Sequence, residues 1–168
     1  SDHLVRAYFH TYGLPVLTTN CSNNYGPRQH PEKLIPLAIS RMAKGEAVPV
    51  YGTGQNVRDW LYVDDHCAAI ERVIEAGRLG ETYCVGGDNE WRNLDLLHVL
   101  SDLVDERLGR AKGTSKALLT FVKDRAGHDL RYAIDPTKLR TELEWRHGVT
   151  FEEGLRRTVA WYLPDAAK

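Results

Sequence analysis

PVLTTNCSNNYGP, residues 15–27, sets the class of the fold. Pro15 to Thr19 is a short β-branched run ending in a polar cluster, the pattern of a buried strand that runs into a functional loop. Ligands of open α/β sheets sit beyond the carboxyl ends of their strands. The segment Asn20-Cys21-Ser22-Asn23-Asn24-Tyr25-Gly26-Pro27 occupies that place. Asparagine both donates and accepts, which suits sugar hydroxyls, amides and phosphate oxygens. The same residues also read as an Asn-rich turn closed by Gly-Pro.

Outward from this stretch, strands and helices alternate. Asp2 to Tyr12 places Leu4, Ala7, Tyr8 and Thr11 on one helical face, with Gly13 as a left-handed cap. Pro31 opens a helix whose Leu34, Leu37, Ala38 and Met42 share a face, closing at Gly45. Ala47 to Tyr51 is a strand and Arg58 to Val63 is extended. Asp64 or Asp65 then caps a helix with Ala68, Ala69, Val73 and Ile74 inward. Glu81 to Val85 is a strand, and Asn93 can cap a helix carrying Leu94, Leu97, Leu100, Val104 and Leu108. Ala117 to Lys123 and Leu130 to Ile134 are strands, and Asp135-Pro136 starts a helix. Thr150 and Glu153 form a capping box for the last helix, with Phe151, Leu155, Val159 and Tyr162 on one side. The alternation predicts an α/β fold with parallel pairing. A parallel strand needs both faces covered, yet only one helix precedes Pro15. Its neighbours therefore come later in the chain or lie upstream of Ser1.

The 168 residues suit one domain or a piece of a larger one, and 22 Lys and Arg stand against 23 Asp and Glu. That balance gives no electrostatic case for nucleic acid or an anionic membrane. No apolar run approaches the roughly 20 residues of a membrane span, and the start does not read as a signal peptide. Cys21, Cys67 and Cys84 are too scattered for a disulfide framework or a zinc site, and they read as buried thiols in a reducing cytoplasm. The seven histidines lack metal-ligand spacing, so no metal is expected.

Two more segments carry candidate chemistry. Arg58, in RDWLYVDD, is a planar fork matched to phosphate oxygens or a plain surface arginine. In Asp124-Arg125-Ala126-Gly127-His128, Arg and His flank a glycine that permits close backbone approach; a charged turn between strands reads equally well. Asn93 is a cap or a ligand contact, and Lys33, Arg58 and Arg125 together could neutralise a diphosphate. The absences are as informative. Gly52-Thr53-Gly54 has Val57 where a dinucleotide-binding turn needs its third glycine, and no Tyr-x-x-x-Lys pair occurs. Neither a Gly-x-Ser-x-Gly elbow nor a phosphate-binding Gly-Lys-Ser/Thr loop is present.

CSNNYGP (21–27), PEKLIPLAI (31–39), PVYGTGQNVRDWLYVDD (49–65), ETYCVGGDNEWRN (81–93) and DRAGHDLRYAID (124–135) closely resemble the dTDP-glucose 4,6-dehydratase family. That family belongs to the extended short-chain dehydrogenase/reductase superfamily, and the likeness runs from Ser1 to about Tyr162. The resemblance implies the tail of a Rossmann-type parallel sheet plus a smaller α/β substrate-binding domain. Residues 1–30 would end the dinucleotide-binding domain, and 31–168 would mainly form the nucleotide-sugar domain. Part of 64–87 would return to the Rossmann-type sheet. It implies NAD, with Asn24 at its nicotinamide end. A dTDP-sugar would meet Asn23, Lys33, Leu34, Pro49, Val50, Tyr51, Arg58, Asn93 and the loop Asp124, Arg125, Ala126, Gly127, His128. Family members oxidise the sugar at C4, eliminate water across C5 and C6, and return the hydride to C6. The family's Tyr and Lys would lie just upstream of Ser1, so the chain reads as a carboxyl-terminal half, inactive alone and completed by an amino-terminal half. It would have an open sheet edge and an exposed apolar face, and homodimerise when full-length. The family has a proline at Ala126, and a more aromatic stretch at Arg28-Gln29-His30. An epimerase or decarboxylase of the same superfamily and a non-catalytic nucleotide-sugar-binding module are the competing readings.

Overall fold

The computed structural model describes residues 1–164. Its order is α1 (Asp2–Tyr12), β1 (Thr18–Cys21), β2 (Asn23–Tyr25), α2 (Leu34–Lys44), β3 (Val48–Tyr51), β4 (Val57–Tyr62), α3 (Val63–Ala76) and β5 (Thr82–Val85). Then follow β6 (Glu90–Arg92), α4 (Asn93–Arg107), a 3₁₀ turn (Lys116–Leu118), β7 (Leu119–Val122), β8 (Arg131–Tyr132), α5 (Thr137–Leu143) and α6 (Phe151–Tyr162). The α/β alternation is therefore present. Parallel ladders join β1 to β5, β2 to β4, β3 to β7 and β4 to β8, while β4 to β6 is antiparallel.

β4 organises the molecule because successive side chains of a strand face opposite ways. Trp60 and Tyr62 enter a large core with Tyr25, Ile35, Ile39, Met42, Leu97, Leu100 and Leu155. Leu61, between them, enters a second core with Ala69, Val73, Tyr83, Val85, Leu139 and Trp145. The β2–β4 pair is a wall between two apolar interiors. Helices α2, α4 and α6 cover the first, and α3 with α5 covers the second.

Several local expectations are corrected. The strand read at Pro15–Thr19 begins at Thr18 and runs to Cys21, and the adjoining Asn23–Tyr25 is a strand rather than loop. Pro31 stands outside α2, whose first turn holds Pro36 instead, and its buried face includes Ile35 and Ile39 rather than Leu34 and Leu37. Neither Asp64 nor Asp65 caps α3. Asp65 is buried and accepts from the amides of Gly148 (2.8 Å) and Val149 (3.1 Å), 83 and 84 residues away. Ile74 is 70% exposed, so the inward face of α3 is narrower than expected. Asn93 is the first residue of α4 rather than its cap. Thr150 does accept from the Glu153 amide (3.3 Å), but the Glu153 carboxylate turns to Arg157 (2.8 Å) instead of closing the box. Cys67 is exposed, and Cys21 and Cys84 are half-buried, so the thiols are not uniformly core residues. α1 buries no residue, and Leu4, Tyr8 and Tyr12 are exposed on it.

Tyr25 closes the lower end of the wall. Its ring meets Trp60, Tyr62 and Phe151 edge-on, with centroids 6.2, 5.6 and 5.4 Å away. Its hydroxyl donates to the Phe151 carbonyl (3.2 Å). Burial, then the neighbouring Tyr62 and Asp65, push this phenol far above its ordinary value. A raised folded pKa gives stability that is intact below the unfolded phenol's value of about 10 and is lost as pH rises beyond it. Tyr25 should therefore cost up to about 1.4 kcal/mol per pH unit above about pH 10. Urea unfolding across that range should show the loss, and Tyr25→Phe should blunt it; equal slopes in both proteins would refute the assignment.

Candidate functional site

Arg58, near the start of β4, lies where three segments meet. Its guanidinium donates through Nη1 to the Val57 carbonyl (2.7 Å) and through Nη2 to the Asp129 carbonyl (2.9 Å). The buried Asn56 side chain donates to that same Asp129 oxygen (3.1 Å), and the Val57 amide donates to Leu130 (2.8 Å). These bonds pin the segment after residue 124 against β4. From the other side, the Asn93 amide donates to the Asn56 carbonyl (2.9 Å) and the Leu94 amide to Gly54 (3.0 Å). Arg58, Asn93 and the 124–129 loop thus converge on Asn56 and Asp129.

The loop is internally braced. Asp124 Oδ1 accepts from the Arg125 amide (2.8 Å) and lies 2.7 Å from His128 Nδ1. Arg125 Nη2 is 3.3 Å from His128 Nε2. Arginine has only donors, so Nε2 accepts and Nδ1 donates to Asp124. His128, then the Arg125 amide, hold the Asp124 carboxyl below the usual carboxylate range. The Arg125 guanidinium lies over the Tyr51 ring, 4.9 Å from its centroid. Gly52 permits this approach. Its φ is +57°, and an added Cβ would sit 2.8 Å from Asp124 Oδ2.

The remaining candidates divide by position. Asn23 is opposite Trp60 and Asn24 opposite Leu61 in the β2–β4 ladder, so the two asparagines occupy different faces of the wall. Asn23 shares the face of Arg58, two residues before Trp60. Asn24 Nδ2 turns back to the Ser22 carbonyl (3.1 Å) and the Cys21 sulfur (3.4 Å). Lys33 is exposed just before α2, and Leu34 packs on the large core. Pro49 pairs with Thr120 in β3–β7, while the Val50 side chain is buried in that core. Ala126 and Gly127 are exposed at the loop tip. Tyr51 and residues 124–127 are exposed, while Arg58, Asn93 and His128 are half-buried. A separate cavity of about 200 Å³, lined by Trp60, Tyr62, Asp65, Asn89 and Phe151 among others, contains none of these residues.

Three side-chain atoms here are buried without a partner: Ser22 Oγ, Asn24 Oδ1 and Asn93 Oδ1. Buried polar atoms are nearly always hydrogen-bonded, so each of the three can take an incoming partner. Sequence reasoning missed Asn56, the buried Asp59 and Gln29. Their roles come from partners between 5 and 133 residues away, and no local pattern marks them.

A family model described as GDP-mannose 4,6 dehydratase matches residues 1–158. The chain belongs to that family. Its relatives include a dTDP-glucose 4,6-dehydratase of Xanthomonas campestris pv. campestris, 56% identical over 166 residues, covering 98% of this chain and 47% of the relative. One from Escherichia coli is 53% identical over 165 residues, with 98% and 45% covered. Among solved structures, the dehydratase DesIV from Streptomyces venezuelae, with NAD and TYD bound, superposes with a TM-score of 0.88 at 46% identity. The match covers 98% of this chain and 49% of DesIV. The chain spans about half the length of the curated relatives it matches. A UDP-glucuronic acid 4-epimerase from Bacillus cereus, 23% identical with a TM-score of 0.82, shares the fold.

Proposed function

We propose that this chain forms the substrate-gripping part of a dTDP-glucose 4,6-dehydratase. The observation that carries the reading is the convergence of Arg58, Asn93 and the 124–129 loop on Asn56 and Asp129. The identity to dTDP-glucose 4,6-dehydratases supports it. Arg58 and Arg125 neutralise the diphosphate, and Tyr51 with Pro49 and the Val50 backbone borders the base. Asn23, Asn93, Lys33 and Leu34 hold the sugar, and the loop from Asp124 through Ala126 and Gly127 to His128 closes the nucleotide end. The braced loop fixes its charges before the ligand arrives, so little ordering is left to binding.

NAD, when bound, would supply the hydride chemistry at the sugar. Asn24 fits the carboxamide end of that cofactor, because its Oδ1 is a buried acceptor lacking a partner. In this reading Asn24 orients and Asn23 holds the sugar nucleotide from the opposite face of the wall. The pairing of β1 with β5 supports assigning residues 1–30 and part of 64–87 to the dinucleotide-binding side, with 31–168 mainly on the sugar side. The Tyr-x-x-x-Lys chemistry comes from polypeptide outside this sequence, the amino-terminal partner, and the assembled enzyme is a cytoplasmic homodimer. Among the described residues, no helix is long and apolar enough to cross a membrane.

The purified chain should bind thymidine diphosphate more tightly than uridine diphosphate in isothermal titration. It should produce no 4-keto sugar from dTDP-glucose with NAD present, read as the keto sugar's alkaline absorbance. Turnover would overturn the division of labour. Failure to bind thymidine diphosphate would overturn the grip, and equal affinity for both nucleotides would favour a different sugar-nucleotide enzyme.

A further inference from the structure

We infer that Gln29 is a positioning residue for the two asparagines of β2, and that α6 holds it in place. The inference rests on the proposed function, since the ligand it serves is the one assigned to Asn23. Gln29 Nε2 donates to the backbone carbonyl of Asn24 at 2.7 Å. The Gln29 carbonyl in turn accepts from the Tyr162 hydroxyl at 2.7 Å. One residue earlier, Arg28 has φ +64°, a backbone conformation that side chains other than glycine seldom adopt. Such geometry persists only when its surroundings enforce it. The Arg28 guanidinium lies 5.5 Å from the Trp161 ring centroid. Two consecutive residues of α6, Trp161 and Tyr162, therefore hold two consecutive residues of the loop after β2.

The helix is a fixed support. Leu155 and Val159 are buried in the large core, and Arg107 Nε ties the Leu163 carbonyl to α4 at 2.8 Å. β2 itself is only three residues long, so its own ladder gives limited constraint. The Asn24 carbonyl belongs to the peptide that joins Asn24 to Tyr25, so holding it anchors the end of the strand that carries the two asparagines. Gln29 Oε1 is a buried acceptor lacking a partner, as is Asn24 Oδ1.

The decisive substitution is Gln29→Glu, which keeps shape and volume while replacing the donor with a carboxylate oxygen facing a carbonyl oxygen. A protonated carboxyl would restore a donor. At about pH 8, Gln29→Glu should bind thymidine diphosphate roughly 10-fold more weakly than wild type, the loss of one charge-opposed hydrogen bond. The deficit, measured against wild type at each pH, should shrink toward about pH 5, nearer the carboxylic acid's own range. A residue acting only through packing would show no such recovery. Without ligand, hydrogen exchange of amides 22–25 should accelerate in Gln29→Glu. Tyr162→Phe should weaken binding on its own and add little on the Gln29→Glu background. If wild type binds and Gln29→Glu matches it at every pH, or if exchange is unchanged, the positioning role is overturned. If wild type fails to bind while exchange still responds, the grip is wrong and the brace stands.

Discussion

Arg58→Ala should weaken thymidine diphosphate binding about 10- to 100-fold while leaving the melting temperature nearly unchanged. The large affinity term follows from chemistry: a hydrogen bond to a charged group contributes roughly 1.5–3 kcal/mol, and about 1.4 kcal/mol is tenfold. The small stability term follows from redundancy. Asp129 O, which Arg58 holds, also accepts from Asn56, so the loop keeps a tether when the guanidinium is removed. Arg58→Lys should recover only part of the affinity. An ammonium restores the charge, but it cannot grip two backbone carbonyls and a phosphate oxygen with one planar fork. Titration calorimetry with both variants checks this, and an alanine variant within twofold of wild type would remove Arg58 from the site.

The second large effect concerns stability. Asp59 is 1% exposed, and its carboxylate accepts from the amides of Gly87 (2.9 Å) and Asn89 (2.8 Å). The Trp60 amide donates to the Asn89 carbonyl (3.1 Å) alongside. This junction fastens the loop after β5 to β4 and so sets the start of β6 and α4. Asp59→Ala leaves two amides facing an empty space, at a cost of about 3–5 kcal/mol. For a chain this size that is a fall of roughly 10 °C in Tm. Gly87→Ala should be comparably severe, because an added methyl would overlap the Trp60 carbonyl oxygen. Both changes break one junction, so the double variant should cost less than the sum. Calorimetric melts give the answer: a loss of under about 2 °C for Asp59→Ala would disprove the junction's importance.

Much of the fold was legible because local rules and tertiary packing agree. The periodicity of α6 and its Thr150 cap both survive in the structure, and Leu97, Leu100 and Val104 of α4 are buried as their spacing required. Where the reading failed, a distant partner overrode a local signal. Asn23-Asn24-Tyr25 has turn chemistry, yet pairing with Trp60, Leu61 and Tyr62 makes it a strand. Asp65 has the residue type and position of a cap, but two amides more than eighty residues away claim its carboxylate. Of the candidate site, Arg58, Asn93 and the 124–128 loop could be named from sequence. Asn56 and Gln29, which hold their surroundings together, could not, since only the folded chain brings their partners within reach.

The alternation along β2 has an evolutionary corollary. One asparagine faces each side of a partition, so under the proposed roles a point change at either position edits one compartment and spares its neighbour. Inserting a single residue in the strand would instead exchange the two compartments at one stroke. Lineages should therefore diversify here by replacement, with indels confined to the surrounding turns.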